Sequence, residues 1–177
     1  MKEQAYQQAL AFNPNIVVIK LGTNDSKSFN WVYKADFIKD TQTMIDAFKA
    51  LPSQPEIYLC YPSKAYLTGE SINDDIISKE IIPMIKKVAK KNKLPVIDLH
   101  SAMDGMPELF PDHIHPNEEG AKVMAKAVYD ANKKIRKRRS RQGLISKKEI
   151  FIRLSTLFIV FLLCYSRQSN YFCFPKP

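Results

Sequence analysis

The sequence predicts an α/β fold in which a parallel sheet is covered by helices on both faces. Short β-branched or aromatic runs alternate with amphipathic helical stretches along most of the chain. This alternation is typical of parallel sheets, and one run is almost continuously apolar, as in strands that are buried on both faces. The 177 residues suffice for one domain and are too few for two full ones.

The first half of the chain predicts two helices and two strands. Residues 1–12 have apolar side chains at helical spacing and are ended by an Asn-Pro-Asn turn. Residues 16–21 are a β-branched run and predict the first strand. Residues 35–51 predict an amphipathic helix that Pro52 ends, and residues 56–61 predict the second strand.

The second half repeats the pattern. Residues 73–91 predict a helix that Pro83 either kinks or divides, and residues 95–100 predict a third strand. Pro116 suits the first turn of a last helix, whose apolar stripe reaches Ile135. Open doubly wound sheets usually have about five strands or more, so we expect the first strands to be missing from this chain.

The net charge of +9 is unevenly distributed along the chain. Residues 1–132 carry a net charge of −2, whereas residues 133–177 carry +11 and include all six arginines. The high positive charge therefore belongs to the tail and not to the domain. This removes the main argument for a nucleic-acid-binding domain. We place the domain at 1–135 and a basic, apolar tail, helical or disordered, at 136–177.

The tail has several interpretations. Residues 133–141 are a dense cationic run that continues the last helix, and they could bind phosphates or simply be solvated. The apolar stretch at 154–165 is shorter than the roughly 20 residues of a membrane-spanning helix, although membrane contact through residues 150–165 stays open. A shifted reading frame is the third alternative. Localisation is left open, because the start of the chain shows no signal peptide and an original export signal would be lost with a missing front.

A polar tetrapeptide, Gly22-Thr23-Asn24-Asp25, directly follows the first strand. Functional groups in an open α/β sheet gather beyond the carboxyl ends of the strands. Gly22 permits a tight exit, Asn24 can direct two amide donors at an oxygen as an oxyanion hole requires, and Asp25 could accept backbone N–H bonds. Taken alone, the four residues are more typical of an ordinary turn.

The aromatic residues Phe29, Trp31 and Tyr33 follow this tetrapeptide closely. They could stack on a sugar ring or line an acyl pocket, and packing into the core is the alternative.

A second polar segment precedes the last helix and contains Asp112 and His115. An aspartate three residues before a histidine can accept the imidazole N–H and stabilise the imidazolium that forms when His115 takes a proton. The alternative is a loop that caps the helix. A metal site from Asp112, His113, His115 and His100 lacks the helical spacing of a zinc hydrolase.

Together these segments resemble the SGNH hydrolases, also called the GDSL esterase/lipase family. Residues 13–25 resemble the family's third block with its Gly-x-Asn-Asp motif, and residues 110–121 resemble the fifth block with its Asp-x-x-His motif. The resemblance covers residues 1–132. It implies a three-layer α/β/α flavodoxin-like fold and ester hydrolysis by a serine nucleophile, without a cofactor or metal.

Carried over from the family, His115 is the base, Asp112 orients it, and Asn24 holds the oxyanion on a loop supported by Gly22 and Asp25. The family's Gly-Asp-Ser block does not occur in this sequence. We therefore expect an N-terminally truncated member without measurable esterase activity.

The resemblance makes a small ester, first of all an acetyl ester on a sugar, the expected substrate, with no nucleic-acid partner. The alternative function is a non-catalytic protein that associates with membranes or nucleic acid through its tail.

Overall fold

The computed structural model describes residues 4–141, which form an α/β fold around a three-stranded parallel sheet, as predicted. The strands are β1 (Ile16–Lys20), β2 (Glu56–Tyr61) and β3 (Val96–Asp98). The helices are α1 (Gln4–Ala11), α2 (Ser28–Trp31), α3 (Phe37–Lys49), α4 (Asp74–Ile76), α5 (Ile82–Asn92), α6 (Leu99–Ala102) and α7 (Glu118–Arg141). Short 3₁₀ turns lie at Asn24–Ser26, Lys34–Asp36 and Pro107–Leu109. The apolar segment at 150–165 lies outside the described residues.

The sheet has the order β1-β2-β3, and both pairings are parallel. Ile16 lies opposite Glu56 and Lys20 opposite Cys60, while Leu59 pairs with Val96. Because the three strands point the same way, the loops that leave them all emerge at one edge of the sheet, which we call the carboxyl edge. Within residues 4–141, β1 is an outer strand of this sheet.

The side chains of β1 alternate between two apolar layers. Val17 and Ile19 are buried in a cluster with α1, α3 and α5, whereas Ile16 and Val18 are buried in a second cluster with α6 and α7. Burying each such side chain stabilises the fold by about 1.5–3 kcal/mol. The chain therefore forms the three layers, helix on sheet on helix, that the family resemblance implies.

The third strand is shorter than the prediction of residues 95–100. It ends at Asp98, and Leu99 and His100 belong to α6. The Asp98 carboxylate accepts hydrogen bonds from the Ser101 backbone N–H and hydroxyl, both at 2.8 Å, so it caps the first turn of that helix. An N-terminal cap thus ends the strand that the apolar pattern alone would extend.

The helix predicted over 73–91 consists of three segments. Asn73 caps α4 by accepting the N–H groups of Asp75 and Ile76, and a π-helical turn at Ile77–Ile81 leads into α5. Pro83 lies in the first turn of α5, where its missing N–H does not interrupt a hydrogen bond within α5. Pro83 therefore marks a division of the predicted helix.

Helix α7 runs antiparallel to the strands and continues through the cationic residues 133–141. The Arg136 side chain near its end is buried, with Nε 4.0 Å from a carboxylate oxygen of Glu56, the first residue of β2. The helix accordingly begins at the carboxyl edge. Among residues 4–141 no helix has the length and apolar character to cross a membrane.

The exit of β1 depends on Gly22, whose φ is +120°. A Cβ there would lie 2.7 Å from Ile81 Cγ2 and 3.0 Å from Pro62 Cγ. We expect Gly22→Ala to lower the free energy of unfolding in urea by about 1–3 kcal/mol. Gly69→Ala is the matched control, because a Cβ at Gly69 meets no atom within 4 Å. Equal stability of the two variants would contradict this interpretation of the turn.

Candidate active site

Asp112 and His115 form a hydrogen-bonded pair in the loop before α7. His115 Nδ1 lies 2.6 Å from Asp112 Oδ2. The other carboxylate oxygen, Oδ1, accepts the backbone N–H groups of His115 at 2.6 Å and Ile114 at 3.0 Å. The carboxylate is thus fixed by the chain that carries the imidazole, so the loop sets the orientation of the ring.

The electrostatics of Asp112 follow from these contacts. The hydrogen bond with the His115 ring, together with the backbone N–H groups of His115 and Ile114, holds the pKa of Asp112 well below its usual range. The carboxylate therefore stays ionised at neutral and mildly acidic pH. Both side chains are more than half exposed, which leaves the ring accessible from solvent.

Helix capping does not account for this pair. The Asn117 side chain caps α7, because its Oδ1 accepts the Gly120 N–H at 2.9 Å. His113 is exposed and has a positive φ of 66°, so it shapes the loop backbone. No group of three metal-ligating side chains occurs in the part of the chain that the structure describes.

Asn24 begins the 3₁₀ turn that follows Gly22, at the carboxyl edge of β1, and is half-buried. Its backbone oxygen accepts the Asn30 side-chain N–H at 2.7 Å. The Ser26 N–H donates to the Gly22 oxygen, and the Ser26 hydroxyl donates to the Thr23 oxygen at 2.7 Å. The tetrapeptide is therefore a tight, internally bonded turn, and its half-buried Asn24 lies beyond the end of a strand.

The loop after β2 joins the Asn24 turn to the histidine loop. On one side, the Asn73 N–H donates to the Ser26 hydroxyl at 3.0 Å. On the other side, the Tyr66 N–H donates to the backbone oxygen of His113 at 2.8 Å. Two segments that are some 90 residues apart in sequence are thus held at the same edge of the sheet by one intervening loop.

Tyr66 makes further contacts to the histidine loop. Its hydroxyl donates to the Met103 oxygen at 2.6 Å and accepts the Met106 N–H at 2.7 Å. Its ring packs on Phe110, with the ring centres 5.3 Å apart. Tyr66 therefore connects the loop after β2 to the segment from Met103 to His113, which carries Asp112.

A second, more deeply buried histidine–aspartate pair anchors that central loop. Asp74 Oδ1 lies 3.1 Å from His100 Nε2 and accepts the Ala65 N–H at 3.0 Å, while Asp74 Oδ2 lies 2.8 Å from Lys64 Nζ. The side chains of Asp74 and His100 are only 10% and 14% exposed, which separates this pair from the exposed one at Asp112. Asp74 thus connects the start of α4, the loop after β2 and α6.

Opposing effects set the pKa of Asp74. Burial raises it, but the hydrogen bonds from His100, Lys64 and the Ala65 N–H lower it further, to about 2. Asp74 is consequently a buried carboxylate whose negative charge is stabilised by its partners.

Sequence reasoning missed the roles of Asp74, Lys64 and Tyr66. The sequence indicated His100 only as an alternative metal ligand. Asp74 follows the capping residue Asn73, as acidic residues often do at the start of a helix. No spacing rule shows that the Asp74 side chain is buried. Tyr66 lies in a stretch without periodicity, so only its tertiary contacts identify it.

The aromatic residues after Asn24 separate into two groups. Trp31 is buried against Phe37, with ring centres 6.0 Å apart. Phe29 and Tyr33 are exposed. Trp31 is therefore part of the core, whereas the side chains of Phe29 and Tyr33 are exposed.

Comparison with known proteins agrees with the fold and with the family that the chain resembles. The model of the GDSL-like Lipase/Acylhydrolase family matches residues 1–123. An acetylxylan esterase from Xylanibacter ruminicola is 44% identical over 152 residues, which cover 75% of this chain and 32% of that protein. The chain therefore spans about a third of the length of this relative.

Two solved structures are similar to the described fold. The lipase/acylhydrolase from Enterococcus faecalis has a TM-score of 0.60 and 27% identity, covering 71% of this chain and 64% of that one. An acetyl xylan esterase has a TM-score of 0.58 and 24% identity, covering 71% of this chain and 70% of that one. The second similarity concerns the fold alone.

The Asp74 contacts predict a pH-dependent contribution to stability. We expect Asp74→Asn to lower the free energy of unfolding by about 1–3 kcal/mol at neutral pH, because it leaves buried partners without their charged acceptor. The folded-state pKa, about 2, lies below the usual value of about 3.9. The stabilisation is therefore fully present above about pH 4 and is lost as the pH falls through 2.

Urea unfolding between pH 7 and pH 2 measures this effect as the difference between wild type and Asp74→Asn. The control is Asp75→Asn, since the Asp75 side chain is 61% exposed and its ion pair with Lys79 lies at the surface. A difference that grows on acidification would contradict the account.

The Asp112 contacts predict a second titration result. We expect His115→Ala to raise the pKa of the Asp112 carboxyl. The variant removes the hydrogen bond with the imidazole ring, while the two backbone N–H donors remain. Carboxyl carbon NMR across an acid titration measures the shift. His113→Asn is the control, because asparagine tolerates the positive φ of 66° at that position. An unchanged Asp112 titration in His115→Ala would show that the pair does not form in solution.

Proposed function

Because the chain belongs to the GDSL-like lipase/acylhydrolase family, we propose that it carries the base and an oxyanion donor of an ester hydrolase. The observation that supports this most is the Asp112–His115 pair at 2.6 Å, at the same sheet edge as Asn24.

In this proposal His115 acts as the general base. With Nδ1 held by Asp112, Nε2 is the nitrogen that takes the proton from the nucleophile and returns it to the leaving alcohol. Asp112 keeps the ring in that tautomer and stabilises the imidazolium, and its low pKa keeps the carboxylate ionised while it does so.

Asn24 is proposed as an oxyanion donor. Its side-chain amide carries two N–H donors that can bond the oxygen on which negative charge develops as the acyl carbon becomes tetrahedral. The backbone of Asn24 is fixed by the Asn30 amide and by the turn that Gly22 permits, which limits the positions that its side-chain amide can reach. Loss of one such donor typically costs about 10²- to 10³-fold in rate.

The nucleophile of this proposal is a serine hydroxyl. It attacks the acyl carbon, the ester C–O bond breaks, and water then hydrolyses the acyl-enzyme with the same base. Residues 1–177 contain no Gly-Asp-Ser block, so we place this serine outside them.

An acetyl ester on a carbohydrate is the substrate class that we propose. The support is the 44% identity to a protein named as an acetylxylan esterase. The alternative of a non-catalytic membrane- or nucleic-acid-associated protein rests on a tail that mostly lies outside the described residues, and no contact within them favours it.

A chimera tests the proposed function. Residues 1–132 of this chain replace the matching segment of the X. ruminicola relative, and acetate release from acetylated xylan is measured. We expect the chimera to be active, His115→Ala within it to lose about 10⁴-fold or more, and Asn24→Ala to lose about 10²- to 10³-fold. His113→Asn is the control and is expected to retain activity.

Residues 1–177 alone should release no measurable acetate. Hydrolysis by this chain alone that His115→Ala abolishes would contradict the placement of the serine. A chimera that folds and stays active with His115→Ala would contradict the assignment of the base.

A further inference from the structure

Strand β1 is buried on both faces although it is an outer strand of the described sheet. Its four apolar side chains are at most 2% exposed. Within residues 4–141 only β2 pairs with β1, so alternate backbone N–H and C=O groups of β1 point away from β2 with no strand to bond. We call this side of residues 16–20 the free side of β1. An apolar run that is buried on both faces is typical of strands inside a parallel sheet.

Lys20, the last residue of β1, is a buried cation. It is 8% exposed, and its side chain makes no hydrogen bond or ion pair in the part of the chain that the structure describes. Burial lowers the pKa of the Lys20 amine, and the neighbour that acts on its charge is Cys60. Burial also raises the pKa of the Cys60 thiol to about 12, so the thiol is neutral at pH 7 and does not compensate an ammonium group.

The face of the sheet on which Lys20 lies follows from the alternation of side chains along β1. Lys20 shares the face of Ile16 and Val18, which pack in the cluster with α6 and α7, and Cys60 opposite it on β2 belongs to that same cluster. In a parallel sheet, the residue beside Lys20 on a further strand would direct its side chain to this face as well. A carboxylate at that position would be buried next to the amine.

We propose that the free side of β1 binds a parallel strand of the polypeptide that supplies the serine, and that this strand carries a carboxylate that pairs with Lys20. The inference rests on the proposed function. A strand parallel to β1 ends at the carboxyl edge, where the turn with Asn24 follows β1, so the residues after it reach the edge where the nucleophile is needed. The ion pair fixes the end of that strand.

The chemistry of β1 argues against a second copy of this chain as the occupant. Residues 14–21 contain no Asp or Glu, so pairing of two copies through β1 would bury two lysines without a carboxylate. Inward-facing charges on outer strands are a known protection against such pairing. A strand with an acidic residue beside Lys20 removes this barrier, so the free side is selective for it.

Lys20→Met tests the ion pair when it is compared in residues 1–177 and in the chimera with the X. ruminicola relative. In residues 1–177 we expect the midpoint of urea unfolding to stay or to rise, because methionine replaces a buried amine that has no counter-charge. In the chimera we expect the midpoint to fall by about 1 M or more, because the carboxylate of the added strand loses its partner. Lys39→Met is the control, since Lys39 is exposed on α3, and it should change neither midpoint.

Hydrogen exchange measured by mass spectrometry tests the strand pairing separately. In residues 1–177 the amides on the free side of β1 should exchange quickly, while those that bond β2 are protected. In the chimera the peptide that covers residues 16–20 should be protected throughout.

The proposal is overturned if Lys20→Met leaves the midpoint of the chimera unchanged or raises it, or if it lowers both midpoints equally. Fast exchange on the free side in the chimera would also contradict it, as would a chimera that does not fold where the unaltered relative folds. Protection in residues 1–177 that is lost on dilution would show that a second copy occupies the free side instead. Neither measurement uses acetate release, so an inactive chimera with both expected results would count against the proposed function alone.

Discussion

Parallel pairing of three strands is the constraint on which the rest of this structure depends. It directs the exits of β1, β2 and β3 to one edge of the sheet, and so collects polar loops from distant parts of the sequence. Helix α7 packs on the sheet through Met124 and Val128 and returns antiparallel to the strands, which puts the histidine loop at that same edge. Asn24 and the Asp112–His115 pair therefore lie at one edge of the sheet because of topology, without any local sequence signal that links them.

Two histidine–aspartate pairs share this edge and differ in environment. The exposed pair at Asp112 is held by its own backbone, and more than half of the His115 side chain is exposed to solvent. The buried pair at Asp74 fixes the loop between the two motifs. Tyr66 in that loop bonds the histidine loop through its backbone N–H, and its hydroxyl bonds the Met103 oxygen. One pair thus suits chemistry and the other suits positioning, although both consist of the same residue types.

Much of this arrangement could be predicted from the sequence. The apolar run of β1 and the span of β2 follow from β-branched and aromatic patterning, and the two motifs indicated Asn24 and His115. The sequence could not show that Asp98 caps a helix and shortens β3, because a cap competes with strand pairing only once the chain is folded. Nor could it show Asp74 turning inward or Phe29 turning outward, since both depend on tertiary neighbours that no periodicity encodes.

The most direct test of the central claim is whether Asn24 and His115 contact one bound group. Methylphosphonate, a tetrahedral anion that resembles the intermediate of ester hydrolysis, can be titrated into ¹⁵N-labelled protein. The account predicts that the side-chain amide signal of Asn24 and the ring signals of His115 shift together with one dissociation constant. Shifts of one group without the other, or with two different dissociation constants, would contradict it.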